Sequence, residues 1–106
     1  MTSTVLIAAD VDAAELRALL ADLPPDAPAL VRTARVTPEL RELQARRGVV
    51  LVVGEEHDPR AKEQVSASGL SRLLPDITRR KVRLAGPKPF RRYVRGSLRR
   101  LRRQSV

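Results

Sequence analysis

Two groups of residues have the types and spacing to do chemistry. The first is acidic. Asp10 and Asp12 follow the apolar run Thr4-Val-Leu-Ile-Ala-Ala9, and Glu55-Glu56-His57-Asp58 follows Val49-Val-Leu-Val-Val53 and Gly54. If the two runs are neighbouring strands, their acids meet at one edge. Oxygen ligands converging there can hold Mg²⁺, which takes one or two carboxylates plus water. The candidate ligands are Asp10, Asp12 and Glu55. A structural alternative explains the same acids as helix caps (Asp12, Asp58) and solvated loop charges (Glu55, Glu56). Hydrolysis would need a base as well, and the chain has one histidine, His57.

The second group is basic. It comprises Arg79, Arg80, Lys81, Arg83, Lys88, Arg91, Arg92, Arg95, Arg99, Arg100, Arg102 and Arg103. Guanidinium groups fork onto phosphate oxygens, and a polyanion that binds them releases counterions. Residues 1–78 hold nine Arg/Lys against twelve Asp/Glu, a net of −3. Residues 79–106 hold twelve Arg/Lys and no acid, a net of +12, and together these give the +9 of the whole chain. The sequence therefore reads as a slightly acidic body with a basic end.

Several function classes are excluded. There is no cysteine, so disulfides, thiolate catalysis and Cys-type zinc sites are absent, and one histidine cannot make a multi-histidine metal site. The first apolar run passes into Ala8-Ala9-Asp10-Val11-Asp12 with no glycine, so neither a dinucleotide fingerprint nor a Walker loop is present. The aromatic residues are Phe90 and Tyr93, only 2% of the chain, which argues against a base-stacking platform. The reading leans away from an enzyme and requires no cofactor.

The elements that must position these groups alternate. Thr4–Ala9 reads as a strand buried on both faces. Asp12-Ala-Ala-Glu15 has capping-box spacing, and Leu16, Leu19, Leu20 and Leu23 give the following helix one apolar face, ended by Pro24-Pro25. Leu30–Val36, with Arg32 and Arg35, reads as a half-exposed edge strand. Thr37-Pro38-Glu39 starts a helix with Leu40 and Leu43 inward, and Gly48 closes it. Val49–Val53 is the most strand-like run and is expected mid-sheet. Asp58-Pro59 starts a helix to about Ala67, and Leu70–Leu74 adds a turn. Lys81–Ala85 alternates as a last, edge strand. After the turn Gly86–Pro89, the stripe Phe90, Tyr93/Val94, Ser97/Leu98, Leu101 predicts a helix with one buried side.

The order β-α-β-α-β-α-β-α predicts a single α/β domain over residues 1–106. Its sheet should be small, open, four-stranded and mainly parallel, with helices on both faces. Residues 79–106 would form its basic strand-turn-helix end. Ligands of such sheets bind beyond the carboxyl ends of the strands.

Asp10 and Asp12 after the first strand, and Lys88-Pro89-Phe90 before the last helix, resemble response-regulator receiver domains. Receivers carry an acceptor Asp at the end of the third strand, where this chain has Gly54, and the chain is about one strand-helix unit shorter. The resemblance implies a non-phosphorylatable relative that works by binding partners.

The functional expectation is a non-enzymatic protein that grips a polyanion, foremost a nucleic-acid backbone (DNA or RNA), through its arginine-rich end. One alternative is an assembly subunit docking an acidic protein partner. A second is a Mg²⁺-dependent enzyme at Asp10, Asp12 and Glu55. A solubilising tail would account for the charge without any partner. A membrane partner is disfavoured, because the apolar stripe has few bulky residues and no Trp. No segment has the basic start and long apolar run of a signal peptide, so a cytoplasmic location is expected.

Overall fold

The computed structural model describes residues 4–104. In chain order the elements are β1 (Thr4–Ala9), α1 (Ala13–Ala21), β2 (Ala29–Thr33), α2 (Pro38–Arg47), β3 (Val50–Val53), α3 (Pro59–Gln64), α4 (Ala67–Leu73), a 3-10 turn (Ile77–Arg79), β4 (Lys81–Ala85) and α5 (Lys88–Gln104). The four strands form one all-parallel sheet in the order β3-β2-β1-β4.

The helix starts follow the caps in the sequence. The Asp12 carboxylate accepts from Glu15 N–H at 2.8 Å, Thr37 Oγ from Leu40 N–H at 3.2 Å, and Asp58 from Arg60 N–H at 2.9 Å. Each occupies one of the donors a helix start leaves unpaired. Gly48 closes α2 by returning its N–H to Gln44 O at 2.8 Å.

The connections decide which face each helix covers. The chain steps outward from β1 to β2 to β3, so α1 and α2 lie on one face. From β3 it crosses back past β2 and β1 to reach β4, and right-handed crossovers put that return on the other face. The two cores match this. Leu6, Ala8, Ala29 and Val31 pack with Leu16, Leu20 and Leu40 from α1 and α2. Val5, Ile7, Ala9, Leu30 and Val52 pack with Ala61, Leu70, Ile77, Phe90, Val94 and Leu98 from α3, α4, the 3-10 turn and α5. The alternation along β1 is the period of two of a strand with both sides covered.

Three expectations change. β2 is interior, not an edge, and ends at Thr33; all five of its residues are buried. β3 is an edge strand rather than central, and Val53 is 56% exposed. Hydrophobicity misorders these two because Arg32 makes β2 look solvent-facing, whereas its charge is compensated internally. The helix expected from Asp58 to about Ala67 ends already at Gln64, and the turn expected at Leu70–Leu74 is a helix that begins at Ala67. Ser66 starts it by accepting from Gly69 N–H at 3.2 Å. Gly69 lies against the backbone of Glu63 and Gln64, so a side chain there would collide with α3.

The strand order also departs from the receiver resemblance. Receiver sheets run 2-1-3-4-5, with the third strand beside the first. Here β2 and β4 flank β1, and β3 lies two strands away.

Candidate functional site

α5 owes its position to one face. Phe90, Val94, Ser97, Leu98 and Leu101 are buried at 3- and 4-residue spacing. Taking a Val, Leu or Phe side chain out of water stabilises by roughly 1.5–3 kcal/mol. The basic helix is therefore part of the core and not an appended tail.

The opposite face follows from the same 3.6-residue turn. Lys88, Arg92, Arg95, Arg99 and Arg103 run along it at spacings of four, three, four and four, and all five are exposed. With fifteen rises from Lys88 to Arg103 this stripe is about 22 Å long. Among the described residues, no arginine of α5 joins an ion pair with a carboxylate. Arg91 is turned back, donating from Nε to Gly86 O at 3.1 Å. Arg100 flanks the stripe on the α4 side, where it lines a groove with Ser66, Ser68, Ser71 and Arg72. Arg102 flanks it on the other side, lining a groove with Pro75, Asp76, Thr78 and Arg79.

The strand cations do not extend this face as the sequence suggested. Val82 and Leu84 pack toward α5, so alternation turns Lys81 and Arg83 to the α1 side of the sheet. Arg83 lies 3.8 Å from Asp22 at the end of α1. Arg80 pairs with Asp76 at 2.8 Å. Its hydrogen bond and charge hold the Asp76 carboxyl below its ordinary range, and Asp76 raises Arg80 in turn. Arg79 shares a groove with Arg102 of α5.

The acidic candidates do not converge. β2 stands between β1 and β3, so the acids following those strands are separated. Asp10 pairs with Arg32 at 2.8 Å, and Asp12 caps α1. Glu55 is exposed in the turn before α3, as is His57. Among the described residues, no three His, Cys, Asp or Glu groups come together as a metal site.

At the carboxyl edge lies an arrangement that the sequence reading missed. Arg32, at the end of β2, is only 4% exposed. Its Nη2 donates to Asp10 Oδ2, its guanidinium carbon stands 5.1 Å from the Phe90 ring centre, and its Nε has no hydrogen-bond partner. Beside it, Lys62 Nζ lies 5.6 Å from the Tyr93 ring centre, and Tyr93 Oη donates to Lys62 O at 3.2 Å. Both aromatic side chains of the protein are thus here, each under a cation. The signal available in the sequence was the charge inside the run Ala29-Leu-Val-Arg-Thr33, read as a mark of exposure.

The strand order reverses between β1 and β4, the usual place for a ligand crevice in such sheets. That crevice is pinched. Gly86 has φ +122°, and a Cβ on it would come within 2.6 Å of Ala9 O. Next to it, Asp10, Glu15, Leu19, Asp22 and Pro87 line an open groove between α1 and the β4–α5 turn.

The chain matches no protein-family model, no curated protein and no solved structure. Among the described residues, no helix is long and apolar enough to cross a membrane.

Proposed function

We propose that the protein binds a polyanion, foremost a nucleic-acid backbone, along the outer face of α5. One observation carries this reading: Lys88, Arg92, Arg95, Arg99 and Arg103 form an exposed stripe without carboxylate partners among the described residues, on a helix whose inner face is fixed in the core. Neighbouring like charges at three- and four-residue spacing destabilise a helix by about 0.2–0.5 kcal/mol per pair. Phosphates lining the stripe remove that repulsion and release counterions. The stripe of about 22 Å covers the rise of roughly six phosphates of one strand. Nothing in this contact reads bases, so the binding is independent of sequence.

Because α5 supplies Phe90, Val94 and Leu98 to the core, the test removes charge and keeps the helix. The fourfold variant Arg92→Gln, Arg95→Gln, Arg99→Gln, Arg103→Gln should keep its fold by circular dichroism and lose most of its affinity for a short duplex. Undiminished binding by the folded variant would refute the proposal. Binding that resists salt and selects an acidic protein over nucleic acid would favour the assembly reading.

A further inference from the structure

We infer that the carboxyl edge of the sheet holds a second, separate site for one small oxyanion, a phosphate or a small carboxylate, in the cavity between β2, α3 and the start of α5. The cavity is about 110 Å³ and is walled by Arg32, Glu56, Lys62, Val65, Pro89, Phe90 and Tyr93. A cavity of about 150 Å³ accommodates benzene, so this space suits a single small anion and not a nucleotide.

Three features of the wall favour negative charge. Arg32 presents a guanidinium in a side chain only 5% exposed, and Asp10 takes one of its five donors. Lys62 brings an ammonium held near the Tyr93 ring. Pro89 and Phe90 belong to the first turn of a 17-residue helix, whose amino end carries partial positive charge. Phe90 and Val65 make the buried part of the wall apolar, and a charge-charge contact is stronger beside such a surface than in open water. Glu56 supplies the single carboxylate of the wall. A carboxylate can only accept hydrogen bonds, so an oxyanion that keeps one O–H to donate fits better than a fully ionised one.

This site is independent of the outer α5 stripe. None of the five stripe residues lines the cavity, and none of the cavity residues belongs to the stripe. The Phe90 ring and the Asp10 carboxylate hold the buried Arg32 in place before a ligand arrives, so little ordering of this group has to accompany binding.

The test is a titration of the full chain, labelled with ¹⁵N, with inorganic phosphate and separately with glycolate. Saturable shifts are expected at the Arg32 side chain and at the amides of Lys62, Phe90 and Tyr93. Tighter binding of phosphate would mark a phosphoryl ligand, and tighter binding of glycolate a carboxylate ligand. Lys62→Gln, a surface change that leaves the core intact, should weaken the saturable phase several-fold. The fourfold α5 variant should leave it unchanged. Shifts that never saturate with either anion, or that survive Lys62→Gln and vanish in the fourfold variant, would overturn the inference.

Discussion

Arg32 Nη2 lies 2.8 Å from Asp10 Oδ2, tying the carboxyl end of β2 to that of β1. Asp10 holds φ at +58°, a left-handed conformation that Asp tolerates better than most residues. The pair explains how a charge sits inside an otherwise apolar strand. Its two members differ in exposure, 5% for the Arg32 side chain and 43% for Asp10. Removing Asp10 therefore strands a buried cation, while removing Arg32 frees an acid that water can reach.

Asp10→Asn keeps the shape and the left-handed backbone but removes the countercharge. Breaking a fully buried pair costs about 3–5 kcal/mol. With Asp10 partly solvated, a loss of about 2–3 kcal/mol is expected in urea unfolding. A change below about 0.5 kcal/mol, the usual range for a surface substitution, would show that Arg32 does not depend on Asp10.

Leu98→Ala tests whether α5 belongs to the core. Leu98 is 6% exposed and packs in the cluster under α5. A loss of about 2–4 kcal/mol is expected, as for other buried leucines. A loss near zero would mean that the basic helix is an appendage.

Gly86→Ala should also destabilise. At φ +122° an alanine is strained, and its Cβ would meet Ala9 O. The cost should exceed about 1 kcal/mol, read as a lower urea midpoint at unchanged slope.

The Asp76–Arg80 pair predicts a pH dependence. The hydrogen bond from Arg80 and its charge depress the Asp76 pKa below 3.8 in the folded state. A depressed carboxyl adds stability that is whole above its unfolded pKa and is lost as pH falls through the folded value. The Tm gap between the native chain and Asp76→Asn should be steady near neutrality and narrow below about pH 4. A gap that stays constant on acidification would contradict the pairing.

Much of the fold was legible because local chemistry and global architecture agree. Asp12, Thr37 and Asp58 cap helices where their spacing indicated, and Phe90, Val94, Leu98 and Leu101 face the core as their rhythm required. Strand order was not legible, because β-branched apolar residues suit an edge strand whose faces are covered as well as a central one. Val50–Val53 and Ala29–Thr33 exchanged places for that reason. On α5 helical spacing fixes which of the candidate cations face outward, a selection that the sequence reading itself did not make. On β4 alternation sends Lys81 and Arg83 to the far side, and on β2 Arg32 meets partners distant in sequence.

The side on which Lys81 and Arg83 lie gives a sharper test of the interface. Changing both to Gln should lower nucleic-acid affinity less than changing Arg95 and Arg99, although both variants remove two charges. Equal losses would mean that net charge alone governs binding.

The salt dependence of binding to a short labelled duplex counts the phosphates that the α5 stripe holds. Five phosphate contacts imply a slope of log K against log[salt] of about −4 to −5, and each contact removed lowers its magnitude by about 0.9. The native chain should show that slope between about 50 and 200 mM salt, and the fourfold Arg92, Arg95, Arg99, Arg103→Gln variant a slope near −1. No detectable binding at about 50 mM salt, or equal slopes for the two proteins, would contradict the account.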